Sequence, residues 1–167
     1  MPESLQRMSS TLSKIRWLVG FFIIGLVLSG VTAFPLVTEL HILCRMLGLG
    51  ENAAPAGQTG LAWWLLYVRE GLEHTQAAYP FIFYGTDWLA FAHLVIAVFF
   101  IGPWRDPVRN RWVLQAGLIA CAGVVLLALI CGPIRGVPVY WRLIDCSFGL
   151  IGCIPLLVAL RLTDQLE

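Results

Sequence analysis

Residues 112–134 read WVLQAGLIACAGVVLLALICGPI, an apolar run without a single Asp, Glu, Lys or Arg. A helix rises ~1.5 Å per residue, so ~20 apolar residues cross a ~30 Å hydrocarbon core. Three further stretches share this character: Trp17–Thr38, Trp88–Trp104 and Cys146–Leu160. Carried out to their aromatic and basic borders, the spans fall at about 17–40, 84–104, 112–134 and 140–161. The expected fold is all-α: an integral membrane four-helix bundle. It forms a single membrane domain over 1–167, with an additional amphipathic surface helix between spans 1 and 2.

Composition agrees. Hydrophobic residues make up 59% of the chain and charged residues 13%, against roughly 25% charged in soluble domains. With a mean hydropathy of +0.80, a soluble fold would expose apolar patches that monomers avoid. A net charge of +1 gives no long-range field for acidic partners, and no basic cluster is interleaved with aromatics. Nucleic acid is therefore not an expected partner. The five cysteines have no CxxC spacing, and four fall in or beside apolar spans, where Cys behaves as a small hydrophobe.

The N-terminus resembles a signal peptide, with Arg7, Lys14 and Arg16, an apolar run, and Val31-Thr32-Ala33. The apolar stretch continues through Phe34, Pro35, Leu36 and Val37, long enough to span, so a retained first helix is expected. Alternating the spans puts Arg7, Lys14, Arg16, Arg105, Arg109, Arg111 and Arg161 on one side and Arg45, Arg69, Arg135 and Arg142 on the other. The positive-inside rule then sets both termini, Met1 and Glu167, in the cytoplasm. Trp17, Trp104 and Trp112 mark the inner interface, Trp88 and Trp141 the outer one.

The extracytoplasmic segment, about 41–80, has two parts. Gly48–Gly60 reads as a loop, and 61–78 reads as a helix, with Leu61, Leu65, Val68 and Leu72 on one face. Arg69, Glu70, Glu73 and His74 fall on the other side, as expected of a helix lying on the outer membrane surface or capping the bundle. Gly102-Pro103 and Gly132-Pro133 read as helix stops, the Gly relieving the last turn and the Pro ending it. Gly25 with Ser29, and Gly149 with Gly152, have the spacing that lets helices approach closely.

The run Tyr84-Gly85-Thr86-Asp87-Trp88-Leu89-Ala90-Phe91-Ala92-His93, with Gly-Pro-Trp-Arg-Asp-Pro at 102–107 and Trp141-Arg142-Leu143-Ile144-Asp145-Cys146, resembles a group of small four-span bacterial inner-membrane proteins. The likeness covers roughly residues 60–160. It implies the inner membrane and brings no activity and no site residues with it.

Three groups of residues are candidates for function, since charge inside a bilayer is expensive and usually has a task. Asp87 and Asp145 both lie ~25 Å from the inner boundary, and Arg142 is one turn above Asp145. A guanidinium can bond two acceptors, so Asp87, Arg142 and Asp145 read as an ion-pair staple, or, with Arg135, as an anion, headgroup or substrate pocket. His93 lies ~16 Å deep, near the midplane. There it is either a neutral imidazole bonded to Ser29 or a backbone carbonyl, or a haem or transition-metal ligand or proton-transfer residue. An iron shared with His41 is excluded, because the two lie ~20 Å apart along the membrane normal. Glu39, His41, Glu70, Glu73 and His74 form an outer Glu/His group with ligands suited to Zn, Fe or Cu. No GxSxG, HExxH or phosphate-binding Gly loop occurs.

The leading expectation is a non-catalytic membrane component or partner-binding subunit, with the lipid bilayer, other membrane proteins or a second copy as partners. The alternatives are a haem- or metal-binding redox protein, and a small transporter or lipid-modifying enzyme around Asp87, Arg142 and Asp145.

Overall fold

The computed structural model describes residues 3–166, and the two residues that anchor the topology expectation, Met1 and Glu167, lie outside the described residues. The described chain is all-helical. In order it forms α1 (Glu3–Ala33), α2 (Leu36–Met46), α3 (Gly60–Ala78), a 3-10 turn (Pro80–Ile82), α4 (Phe83–Phe99), α5 (Ile101–Arg105), α6 (Arg111–Ile134) and α7 (Val139–Thr163). Four segments are long and apolar enough to span a membrane: Gln6–Ala33, Pro80–Arg105, Arg111–Ile134 and Val139–Thr163. Large apolar side chains along them, among them Phe21, Ile24, Ile119, Leu127, Phe148 and Ile154, are exposed. Surfaces of that kind suit lipid and not water, as in a multi-pass membrane protein.

Two spans differ from the sequence reading in detail. The first was expected to run to about residue 40; its helix instead covers the basic N-terminal residues and stops at Ala33. Pro35 explains the stop, since it has no N–H and its ring clashes with the carbonyl one turn earlier. Its own carbonyl then accepts Glu39 N at 2.9 Å and opens α2. The second span is divided between α4 and α5. Pro103 cannot donate to the preceding turn, yet Phe100 N to Ile96 O and Trp104 N to Phe100 O, both 3.2 Å, carry the helix past the step.

The chain divides into two compact units. One comprises residues up to Leu26 together with Ile96 onward; the other is Val27–Val95.

In the first unit α6 and α7 form an antiparallel hairpin. A Cβ on Gly149 would stand 2.6 Å from the Cys121 carbonyl, and one on Gly117 2.8 Å from Leu156 Cδ1. These contacts surround a core of Ile15, Val19, Phe100, Leu114, Cys121, Leu156 and Ala159. Gly152, closely approached by Phe22 and the Cys121 sulfur, completes the packing pair read from the sequence. Gly25 does not take part: open space surrounds it, and Ser29 is exposed. All five thiols are free.

In the second unit α2 packs on α3, burying Leu40, Cys44, Trp64, Leu65 and Leu66. The close approach of α1 in this unit falls at Gly30, where a Cβ would stand 2.9 Å from the Ala90 carbonyl.

Two helices, α2 and α6, end in glycine turns that close the same way. At α2, Gly48 adopts φ 73°, with Gly48 N to Arg45 O at 3.0 Å and Leu49 N to Cys44 O at 2.9 Å. At α6, Gly136 adopts φ 70°, with Gly136 N to Pro133 O at 3.1 Å and Val137 N to Gly132 O at 2.9 Å. These are Schellman caps, and they need the left-handed conformation that glycine adopts without penalty. Gly136, not Gly132, therefore relieves the turn. Gly132 and Gly102 are instead places where a later side chain lies close, Arg142 on the first and Asn110 on the second.

Candidate functional site

The outer Glu/His group is resolved into one connected pair and three separate residues. His41 comes from the middle of α2 and Glu73 from α3, where their helices pack, and His41 Nε2 lies 2.8 Å from Glu73 Oε1. The same carboxylate oxygen lies 3.8 Å from Nε of Arg69, one turn earlier on α3. Glu39, Glu70 and His74 make no ion pair among the described residues. Glu70 and His74 line an open depression of about 680 Å³ along α3, together with Tyr67, Leu72 and Thr75. Among the described residues no three His, Cys, Asp or Glu side chains converge as a metal site.

Arg69 is the correction here. Read as part of the solvated side, it is only 5% exposed. Its guanidinium donates to the Gly50 carbonyl at 3.2 Å and the Ala53 carbonyl at 2.5 Å, so a buried cation holds the loop after α2. A buried cation is tolerable only when hydrogen-bonded and paired, and Glu73 supplies the charge. In the sequence Arg69 follows Leu65 by four residues and so borders the apolar stripe, a position that does not by itself tell a buried cation from a solvated one. Arg45 adds a second tie, to Glu51 at 2.6 Å, but both partners are exposed and the tie is worth little.

On the opposite face of α3, Trp63 stacks on Tyr67 with ring centroids 5.2 Å apart and planes 10° apart. These rings are 38% and 54% exposed, whereas Trp64 is buried. The two adjacent tryptophans thus differ in exposure, although the Trp64 ring lies beside both exposed rings, 6.2 Å from Trp63 and 6.0 Å from Tyr67.

His93 sits in α4, within the candidate span Pro80–Arg105. Its Nδ1 lies 2.8 Å from the Leu89 carbonyl oxygen. A carbonyl only accepts, so Nδ1 carries a proton in this contact, and in the neutral imidazole Nε2 is then the nitrogen with the free lone pair. Of the two partners expected for a neutral imidazole, the backbone carbonyl is the one it uses.

Of the polar cluster, Arg135, Arg142 and Asp145 belong to the first unit and Asp87 to the second. None of the four makes an ion pair among the described residues. Arg142 does not turn down its own helix toward Asp145. Its stem crosses to α6, with Cγ 2.7 Å from where a Gly132 Cβ would stand, and its Nε is buried without a hydrogen-bond partner.

Compared with protein families, curated proteins and solved structures, the chain matches none.

Proposed function

We propose that this chain is a non-catalytic component of a membrane assembly. In this reading it lies in the inner membrane with both termini cytoplasmic, and its extracytoplasmic α2–α3 hairpin meets a partner. The observation that carries the reading is the division of α3 into two faces. Trp64, Leu65, Leu66 and Arg69 are buried, while Trp63 and Tyr67 are stacked and exposed. Exposed Trp and Tyr offer large contact area with few rotors to freeze and recur among interface hot spots. Glu70, on the same face and without an ion pair among the described residues, makes a basic residue the complementary group on the partner. The expected partner is thus another membrane protein presenting Arg or Lys to this ridge. In native gels of source membranes, wild type should migrate in a complex larger than itself, and Trp63→Ala with Tyr67→Ala should release it. A wild-type chain that migrates alone after mild solubilisation would refute the reading.

A second reading has its own observation, the His93 bond to Leu89. An imidazole that donates Nδ1–H to a carbonyl and presents Nε2 is arranged as metal-bound histidines are. His93 would supply one ligand to a haem iron or a transition metal, the remaining ligands coming from outside this chain's described residues. Purified wild type should then show a Soret band or bound metal that His93→Gln removes. Colourless, metal-free wild type purified under mild conditions counts against it.

A further inference from the structure

At the junction of α6 and α7 stand two arginines that make no ion pair among the described residues. Arg135 caps α6 and is exposed, and Arg142 sits in the first turns of α7. Neither side chain makes a hydrogen bond or ion pair among the described residues. Arg142 is nonetheless placed with care: its stem fills the space left by the missing side chain of Gly132, and its Nε is removed from solvent. Gly132 and Arg135 are three apart on α6 and share one side of that helix. Laying the Arg142 stem on Gly132 therefore brings that side chain to the side of α6 that carries Arg135. Asp145, one turn further along α7, leaves that charge uncompensated.

Two arginines without a partnered charge at one helix–helix turn, and a desolvated, unbonded Nε on one of them, are unfavourable unless an anion joins them. The turn connects the spans Arg111–Ile134 and Val139–Thr163, so it lies at headgroup depth. Ile134 and Val139 on either side of it are exposed and apolar, suited to the first segments of an acyl chain. Guanidinium forks bond phosphate oxygens in pairs, with geometry that a lysine lacks.

We infer that Arg135 and Arg142 form a clamp for one phosphate group, carried either by an anionic phospholipid or by a soluble phosphate. This site is independent of the hairpin and of any partner bound there. Gly132 is part of it, since only an absent side chain gives Arg142 its place.

The test uses the full chain in nanodiscs of phosphatidylcholine containing a minor share of phosphatidylglycerol, with retained lipid counted by native mass spectrometry. Wild type should retain phosphatidylglycerol in preference to phosphatidylcholine. Arg142→Gln and Arg135→Gln should each weaken that preference roughly tenfold, the loss of a charge-assisted hydrogen-bonding group. Arg142→Lys should fall between. Gly132→Ala keeps both charges but displaces the Arg142 stem, and it should weaken retention as well. Competition by millimolar inorganic phosphate, with binding of that phosphate to wild type in detergent, would identify the soluble source; retention that phosphate does not disturb identifies the lipid. Wild type with neither lipid preference nor phosphate binding overturns the inference. So does wild-type retention in folded Arg135→Gln, whose exposed side chain makes that variant safe for the fold whatever becomes of the others.

Discussion

Nη2 of Arg69 lies 2.5 Å from the carbonyl oxygen of Ala53, sixteen residues earlier in the chain. Together with the Gly50 contact, this makes one buried cation the fastening of the segment between α2 and α3. Glu73 balances its charge and His41 ties the pair to α2, so three parts of the second unit, α2, the segment at 50–53 and α3, meet at one carboxylate and one guanidinium.

Arg69→Met keeps the apolar stem and removes the donors. The Gly50 and Ala53 carbonyls lose charged partners worth ~1.5–3 kcal/mol each, less whatever water recovers. Amides at 50–53 should exchange with deuterium roughly tenfold faster or more, by about one such bond. Arg69→Lys should protect only in part, having no planar fork to reach both carbonyls. Unchanged exchange in Arg69→Met would show that the loop is held by other contacts.

Glycines that look alike in the sequence should separate sharply on substitution. Gly149→Ala sets a methyl 2.6 Å from a backbone oxygen of α6, which cannot swing aside, and should lower stability by ~1–3 kcal/mol. Gly25→Ala meets open space and should be neutral or slightly stabilising. Unfolding in detergent monitored by circular dichroism compares the two; equal effects would mean that α6 and α7 do not touch at Gly149.

Arg111 and Asp164 lie 2.6 Å apart and are both partly exposed. Short as it is, such a pair contributes no more than about 1 kcal/mol. Asp164→Asn should shift the unfolding midpoint only slightly, and the shift should fade as salt is raised. A large, salt-independent loss would mean the carboxylate supports something besides this pair.

The proposed orientation sets the turn before α6 in the cytoplasm. Val108 is exposed there, whereas Asn110 is engaged with the Asp106 carbonyl at 2.9 Å. Val108→Cys, on a background without the native thiols, should resist an impermeant thiol reagent in intact cells and react once the membrane is opened. Reaction in intact cells would invert the topology.

The spans were legible because hydropathy is a one-dimensional property: the apolar run at 112–134 becomes α6, Arg111–Ile134, with little adjustment. The helix at 61–78 was legible from its period, and it becomes α3. What the sequence did not disclose was direction. Arg69 and Glu70 are neighbours of similar polarity, yet one is buried and the other exposed, and only the packing of α2 decides which. Arg142 and Asp145 have ion-pair spacing, but Gly132 on another helix offers the arginine stem a better berth. Gly25 with Ser29 has the same spacing logic as Gly149 with Gly152, and nothing local tells which pair meets a neighbour.

Arg69 also imposes an order of events on synthesis. The carbonyls it holds leave the ribosome well before it does, so the segment from Gly50 to Ala53 has no anchor until most of α3 has been made. Every group in the fastening then comes from residues 41–73, ahead of the span that starts at Pro80. The hairpin can therefore close while α4 is still being threaded into the bilayer, and α6 and α7 are not needed for it. A chain ended after residue 78 and followed by a flexible linker long enough to clear the ribosome should already shield its loop from protease, whereas one ended before residue 69 on the same linker should be cut there.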